Sequence, residues 1–194
     1  MFIGLLLIVS VAGAAQDATP QKLFESGKYQ EAIDKVKSRP DAPPEQIYVR
    51  ALAHRKLSQN DDARQAFDAL ARAPEGVWKE IGRSGTALVA GDLAGAQASA
   101  RKAVEINAQS AYARYQLGVV ESGRDDQAQA ADAFAKAAEL DPQMAYAHYE
   151  AGMAFYKVKR VDRMAVYFEN FLKLAPDAPE KAAVQSIMRT VRGR

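Results

Sequence analysis

The sequence predicts an all-α fold, a solenoid of antiparallel helix pairs, and three observations support that prediction. The second half of the chain repeats itself at an offset of 34 residues. Glycine, asparagine, aspartate and proline residues, which end or cap helices, recur at regular intervals between apolar stretches. No stretch combines the period-two alternation and the β-branched density that are typical of strands. A fixed period of this length indicates one supersecondary unit, each copy burying the open apolar face of its neighbour.

The repeat is clearest between Ala103–Gly118 and Ala137–Gly152. These segments read AVEINAQSAYARYQLG and AAELDPQMAYAHYEAG, and eight of their sixteen aligned positions are identical. The same offset aligns Phe134 with Phe168. Because stacked units present an extended concave surface, the pattern favours a binding function over a chemical one.

The first 15 residues differ from the rest of the chain. Phe2–Ala15 is a 14-residue apolar run that ends in small residues. A helix needs about 20 residues to span a bilayer, so the run is more typical of a secretory signal peptide that is cleaved after Ala14 or Ala15. No Lys or Arg precedes it, which leaves open a translation start upstream of Met1. We therefore expect a periplasmic or secreted protein, with a membrane contact only if the segment stays uncleaved.

Composition narrows the class of protein further. With 48% hydrophobic and 26% charged residues, the chain is neither disordered nor a membrane bundle. It contains no cysteine, which excludes disulfides and a lipid-modified N-terminal cysteine, and which fits a disulfide-free protein of the bacterial periplasm. The net charge of +2 gives no reason to expect a nucleic-acid partner.

Turn residues place the ends of the predicted helices. Gly91-Asp92 and Gly123–Asp126 are typical of the turn inside a helix pair, whereas Pro74, Pro142 and Pro176 lie in turns between pairs. Glycine ends a helix in the left-handed conformation, and aspartate or asparagine caps the next helix. The spacing predicts αα-hairpins with helices of about 13 residues.

These residues resemble the tetratricopeptide repeat (TPR), a 34-residue helix–turn–helix unit with small, aromatic and proline residues at fixed places. Two units match that pattern best: one carries Leu117, Gly118, Ala130, Phe134, Ala137 and Pro142, and the next carries Gly152, Phe155, Tyr156, Lys157, Phe168, Phe171 and Pro176. The resemblance covers residues 20–178 and implies a right-handed superhelix. It divides the chain into a signal peptide (1–15), a degenerate first repeat (16–43), four repeats (44–76, 77–110, 111–144 and 145–178) and a C-terminal capping helix (179–194).

Two features depart from the family pattern. Gly123 comes two residues before the expected turn position, which predicts a short first helix and a long second helix in its unit. Gly82 and Gly85 lie inside a predicted helix, where each costs about 1 kcal/mol relative to alanine. This helix is therefore predicted to be the least stable helix of the array.

The resemblance also implies where a partner binds, because the first helices of TPR pairs line the concave face. By register, that face carries Tyr48, Trp78, Tyr112, Tyr115, Tyr146, Tyr149, Met153, Tyr156 and Lys157, with Arg55 and Lys56 near the same groove. A row of tyrosines offers large, rigid contact area for an extended peptide or a helix. A flanking cation such as Lys157 is suited to a carboxylate. The alternative is that several of these side chains only pack the array.

The sequence offers little that supports catalysis or a cofactor. His54 and His148 are far apart, and neither has a ligating residue at metal-site spacing, so we expect no metal and no cofactor. By register both histidines fall at helix-packing positions. No acid–base pair is evident either.

We therefore expect a noncatalytic adaptor that binds a peptide or helix of a partner protein in its concave groove. By resemblance, exported bacterial proteins of this kind serve cell-envelope assembly, secretion, pilus biogenesis or division. The alternative is a self-assembling structural subunit of an envelope complex, with Met188 and Val191 as candidate contacts. A cryptic hydrolase is a third and weaker hypothesis. The pattern leaves the oligomeric state open.

Overall fold

The computed structural model describes residues 18–39 and 41–193, so the predicted signal peptide (1–15) lies outside the described residues. Eleven helices and no strand occupy this part of the chain. The helices are α1 (Pro20–Glu25), α2 (Tyr29–Lys37), α3 (Pro44–Lys56), α4 (Asn60–Ala71), α5 (Val77–Val89), α6 (Leu93–Ile106), α7 (Ala111–Gly123), α8 (Gln127–Leu140), α9 (Ala145–Lys157), α10 (Val161–Leu174) and α11 (Lys181–Arg192). Consecutive helices pack on one another, so that five antiparallel pairs stack in chain order into a right-handed solenoid, and α11 packs on α10. Within the residues described, no helix has both the length and the apolar character needed to cross a membrane.

The turn inside each pair has the same backbone geometry. Two positions after the last residue of the first helix, one residue has a φ between 58° and 81°. The next amide donates to a carbonyl five residues earlier, for instance Gln59 N to His54 O at 2.9 Å. This is the Schellman arrangement, in which a left-handed residue ends a helix. The left-handed residues are Gly27, Ser58, Gly91, Asp125 and Lys159.

The prediction of a short helix before Gly123 is wrong. α7 has 13 residues and α8 has 14, as do α5 and α6. Gly123 is the last residue of α7, and Asp125 takes the left-handed position with a φ of 63°. Aspartate enters this region more readily than most residues, because its short side chain bonds locally. The turn therefore keeps its length without a glycine.

Close approach between a glycine of a first helix and a phenylalanine of a second helix sets the packing distance inside a pair. A Cβ added to Gly118 would lie 2.6 Å from Cδ1 of Phe134, and Gly152 meets Phe168 in the same way. Both phenylalanines are fully buried. Real Cβ atoms do not approach a ring so closely, so a larger residue at either glycine would push the two helices apart.

Gly82 and Gly85 have a similar role between neighbouring pairs. A Cβ on Gly82 would lie 2.7 Å from the backbone carbon of Leu70 in α4, and one on Gly85 would overlap the ring of Phe67. The contact between α4 and α5 thus offsets the helix-propensity cost of the two glycines. That α5 is the least stable helix stays a prediction.

A buried polar chain links the first helices of three successive pairs. The Tyr48 hydroxyl in α3 donates to Gln116 Oε1 in α7 at 2.7 Å. Gln116 Nε2 in turn donates to Ser84 Oγ in α5 at 3.0 Å. All three side chains are buried. Because an unpaired buried polar group is costly, this chain holds α3, α5 and α7 in one relative position.

Gly118→Ala is expected to destabilise the protein by about 1–3 kcal/mol, since the added methyl group overpacks the contact with Phe134. Gly123→Ala is the matched control. A Cβ there would make only ordinary contacts, 3.5 Å or more from Leu88 and Leu93. That variant should be neutral or more stable by up to about 1 kcal/mol. Urea unfolding followed by circular dichroism measures both, and equal stability of the two variants would contradict the packing account.

Gln116→Leu is expected to lower the free energy of unfolding by about 1–3 kcal/mol, because it leaves the Tyr48 and Ser84 hydroxyls buried without partners. The triple variant Tyr48→Phe/Ser84→Ala/Gln116→Leu removes the stranded hydroxyls as well. It should be more stable than Gln116→Leu alone. A triple variant less stable than the single one would show that the hydrogen bonds are not the source of the effect.

Candidate partner-binding face

Three of the tyrosines predicted for the concave face are interior residues. The exposed fraction of the side chain is 1% for Tyr48, 5% for Tyr115 and 2% for Tyr146. The Tyr48 ring packs edge-on against Tyr112 and Tyr115, at centroid distances of 5.8 and 6.4 Å. These three side chains offer little contact area in this conformation. The packing alternative describes them better than the binding hypothesis does.

Four other predicted residues lie half-buried beside this cluster. Trp78 and Tyr112 pack together with ring centroids 5.1 Å apart. Tyr149 packs at the far end of the row, and Met153 follows it one helical turn later. Each buries one side in the core and leaves the other accessible. Their role as partner contacts stays a prediction.

The last two predicted residues are exposed at the C-terminal end of α9. Tyr156 has an exposed fraction of 41%. Lys157 is exposed as well, and it lines a surface depression together with Asp125 and Asp126 of the preceding turn. The structure therefore does not bring all nine predicted residues to one continuous surface.

Burial raises the pKa of the tyrosine hydroxyls on this face. It raises the pKa of Tyr112 and of Tyr149 to about 12. Burial also raises the pKa of Tyr48 and of Tyr115 well above the usual value. At neutral pH these groups act as neutral hydrogen-bond donors and apolar rings, and not as anions.

The two ends of the array meet across the concave face. Phe24 of α1 is buried, and its ring centroid lies 4.8 Å from that of Tyr146 in α9. A Cβ on Gly27 would lie 3.1 Å from Cδ of Pro179, which follows α10. The first pair therefore contacts the fifth pair and the segment before α11. Regular solenoid units touch only their neighbours, so this contact is an addition to the repeat pattern.

A hydrogen-bonded cluster joins the same two ends. Lys56 Nζ of α3 donates to Glu180 Oε1 at 2.8 Å, and the Tyr146 hydroxyl donates to Glu180 Oε2 at 2.8 Å. The Lys56 ammonium also lies 4.8 Å from the centre of the Tyr146 ring, and the Tyr29 hydroxyl lies 3.4 Å from that of Tyr146. Burial, the contact with Tyr29 and the nearby carboxylate all raise the pKa of Tyr146, so its hydroxyl stays a donor.

Two cavities on the concave face share Phe24 as a lining residue. One is a cavity of about 20 Å³ between Tyr48, Tyr112, Tyr146 and their neighbours, which has room for one water molecule at most. The other is an open pocket of about 340 Å³. The pocket is lined by Phe24, Leu52, Arg55, Lys56, Leu88, Tyr115, Val119, Ser122, Gly123, Phe134 and Glu150. The larger cavity is free for a ligand, and the aromatic part of the face is filled by the chain itself.

The open pocket combines an apolar floor with charged groups. Leu52, Leu88 and Val119 supply apolar surface from α3, α5 and α7, and Arg55 adds a cation. Burial raises the pKa of Glu150, an effect that the nearby Lys56, Lys157 and Arg55 oppose. Such a mixture of apolar surface and a few convergent charged groups is typical of a ligand site.

Sequence reasoning missed Phe24, Gln116, Glu150 and Glu180. Phe24 and Glu180 lie outside the well-matched units, so register did not place them on the concave face. Gln116 and Glu150 lie in first helices beside the tyrosines that the resemblance singled out. Their spacing was a signal, since Gln116 follows Tyr112 by four residues and Glu150 follows Tyr146 by four, which places each pair on one helix face.

Both histidines have structural contacts. His54 is buried, and its Nδ1 lies 2.7 Å from Gln59 Oε1 in the turn after α3. His148 Nε2 lies 3.1 Å from the Pro142 carbonyl, and its ring packs against Tyr167. Among residues 18–39 and 41–193, no group of three or more His, Cys, Asp or Glu side chains is placed to hold a metal ion.

Known structures share this architecture, although no protein-family model and no curated protein matches the chain. TTC0263, a TPR protein of Thermus thermophilus, is 19% identical, with a TM-score of 0.61 over 88% of this chain and 94% of its own. YrrB, a TPR protein with an unusual peptide-binding site, is 19% identical, with a TM-score of 0.54 over 86% of this chain and 88% of its own. MamA of Desulfovibrio magneticus is 22% identical, with a TM-score of 0.50 over 80% and 90%. At these identities the likeness establishes the fold, and the chain has the TPR fold that its sequence predicts.

Proposed function

We propose that this protein is a noncatalytic adaptor that binds a segment of a partner protein on its concave face. The observation that carries the proposal is the open pocket beside Phe24, with its apolar floor and the charged side chains of Arg55, Lys56 and Glu150. Solenoid arrays use such concave surfaces for binding. The fold, shared with a TPR protein whose structure has a peptide-binding site, supports the same class of function.

The half-exposed and exposed members of the predicted set extend this surface. We infer that Trp78, Tyr112, Tyr149 and Met153 contribute contact area along the first helices, and that Tyr156 and Lys157 contribute at the end of α9. Tyr48, Tyr115 and Tyr146 act indirectly, since their burial supports the neighbouring rings. Aromatic residues of this kind are frequent anchors in protein interfaces.

The setting that we propose is the bacterial cell envelope, in assembly, secretion, pilus or division complexes. The apolar segment before residue 16 supports export, and the absence of cysteine is compatible with it. The alternative is a self-assembling subunit. Met188 is buried against the core and is therefore not available as a contact between copies. Val191 is only partly accessible. A mass in solution that rises with concentration would restore that alternative.

The test uses two substitutions of the same type. Val119 lines the open pocket, and Val166 is 57% exposed on α10. Val119→Lys should reduce capture of an envelope protein from extract of the native host by about tenfold, which corresponds to about 1.4 kcal/mol. Val166→Lys should leave capture unchanged. Circular dichroism checks that both variants remain folded.

Equal capture by the two folded variants would place the function outside the pocket. If Val119→Lys does not fold, Arg55→Gln replaces it, because this change keeps the side-chain stem and removes the pocket cation. The exposed Arg64→Gln in α4 is then the control. Loss of capture with Arg55→Gln alone supports the proposal, and equal capture by the two contradicts it.

A further inference from the structure

Phe24 lies on the concave face that we propose for partner binding. It belongs to α1, which has only six residues, whereas the first helices of the other pairs have 13. Its side chain is 2% exposed and lines both the small aromatic cavity and the open pocket. Most of the other side chains that line these cavities come from α3, α7 and α9, and Leu88 of α5 and Phe134 of α8 complete the open pocket. One residue of the chain thus bridges three helices of the face that we propose for partner binding.

Glu180 holds the same region closed from the other end of the array. Its two carboxylate oxygens accept hydrogen bonds from Lys56 and Tyr146, each at 2.8 Å. The exposed fractions of the Lys56 and Glu180 side chains are 32% and 15%, so this ion pair is less screened by solvent than the exposed pair Lys136–Glu139, at 44% and 60%. The pair joins residues 124 positions apart.

The contacts that close the face are few and differ from those that stack the units. Stacking uses repeated contacts such as Gly118 with Phe134 and Gly152 with Phe168. Closure uses Phe24 on Tyr146 and the cluster around Glu180. Tyr146 also packs against Phe171 inside the fifth pair, with ring centroids 6.0 Å apart, and this contact involves neither Phe24 nor Glu180. The ends can therefore separate while each helix pair stays intact. Local opening of this kind is common in proteins whose units fold in modular fashion.

We propose that Phe24, Lys56, Tyr146 and Glu180 form a latch that closes the concave face of the free protein. A partner segment gains the aromatic part of the face only when the latch opens. This inference rests on the proposed function of the concave face, and it adds regulation to that site. The free protein is then the closed form, and the partner-bound protein is the open one.

The chain allows a direct lock on the latch. A Cβ on Gly27 would lie 3.8 Å from Cβ of Pro179, a separation that suits a disulfide. The chain has no cysteine of its own, so Gly27→Cys/Pro179→Cys introduces a single pair. The φ of 76° at Gly27 strains any side chain, but Ser58, Asp125 and Lys159 adopt the same left-handed conformation at this turn position in other pairs.

The full-length double-cysteine variant is compared in oxidised and reduced form. The probes are the apolar dye anilinonaphthalene sulfonate and the envelope protein captured with the unmodified chain. We expect complete disulfide formation in the folded protein, with loss of partner capture in the oxidised form and recovery on reduction. The fluorescence of the bound dye should likewise be lower in the oxidised form and higher after reduction. Failure of the disulfide to form, or equal capture by both forms, overturns the latch.

The opposite change removes the latch. Lys56→Met/Glu180→Gln should raise dye binding and the radius of gyration from X-ray scattering while helicity is retained. The control Lys136→Met/Glu139→Gln removes an exposed ion pair of 2.9 Å on α8 and should change neither. An unlatched variant with unchanged radius and dye binding contradicts the proposal. If that variant loses helicity, Tyr29→Phe, which removes one hydroxyl from the cluster, must raise dye binding for the latch to stand.

The two proposals fail separately. If Val119→Lys abolishes capture and the oxidised form still binds the partner, the adaptor function stands and the latch is wrong. If the disulfide forms and dye binding follows the redox state while Val119→Lys captures normally, the latch stands and the partner site lies elsewhere.

Discussion

The contact between a glycine and a buried phenylalanine, repeated along the array, is the constraint on which the rest of the structure depends. It sets how closely α7 approaches α8 and α9 approaches α10, through Gly118 with Phe134 and Gly152 with Phe168. The small rotation from each unit to the next curves the array around its concave side. With five pairs, the curvature is tight enough for Phe24 in the first pair to touch Tyr146 in the fifth.

The contact between the two ends of the array reduces the surface that the concave face offers to a partner. An open solenoid offers its whole inner surface, whereas this chain fills the aromatic half with Phe24 and leaves a pocket of about 340 Å³. The pocket and the small aromatic cavity share Phe24, Leu52 and Tyr115 as lining residues. The buried Tyr48–Gln116–Ser84 chain keeps the first helices in one relative position. A change at the ends therefore alters access to the face and leaves its framework in place.

The sequence predicted the fold well because the fold is local. The 34-residue period and small residues such as Gly118 and Gly152 indicate contacts between helices that are close in sequence, and such contacts can be predicted from a single unit. The candidate site was predicted less well, because its closure joins Lys56 to Glu180 across 124 positions and depends on summed curvature. The helix lengths around Gly123 were predicted wrongly, because Asp125, and not a glycine, adopts the left-handed conformation in that turn. Tyr146 is covered by the same closure, whereas the rings of neighbouring units cover Tyr48. Register alone placed both on the face but could not show that they are covered.

The central claim is that the two ends of the array touch in the free protein. Lys28 and Asp177, which line one surface depression between the ends, are exposed positions for a pair of spin labels on introduced cysteines. Pulsed electron-spin-resonance distance measurement on this pair tests the claim most directly. The account predicts one narrow distribution at the short end of the measurable range. A broad distribution at long distances, as an open superhelix would produce, would contradict it.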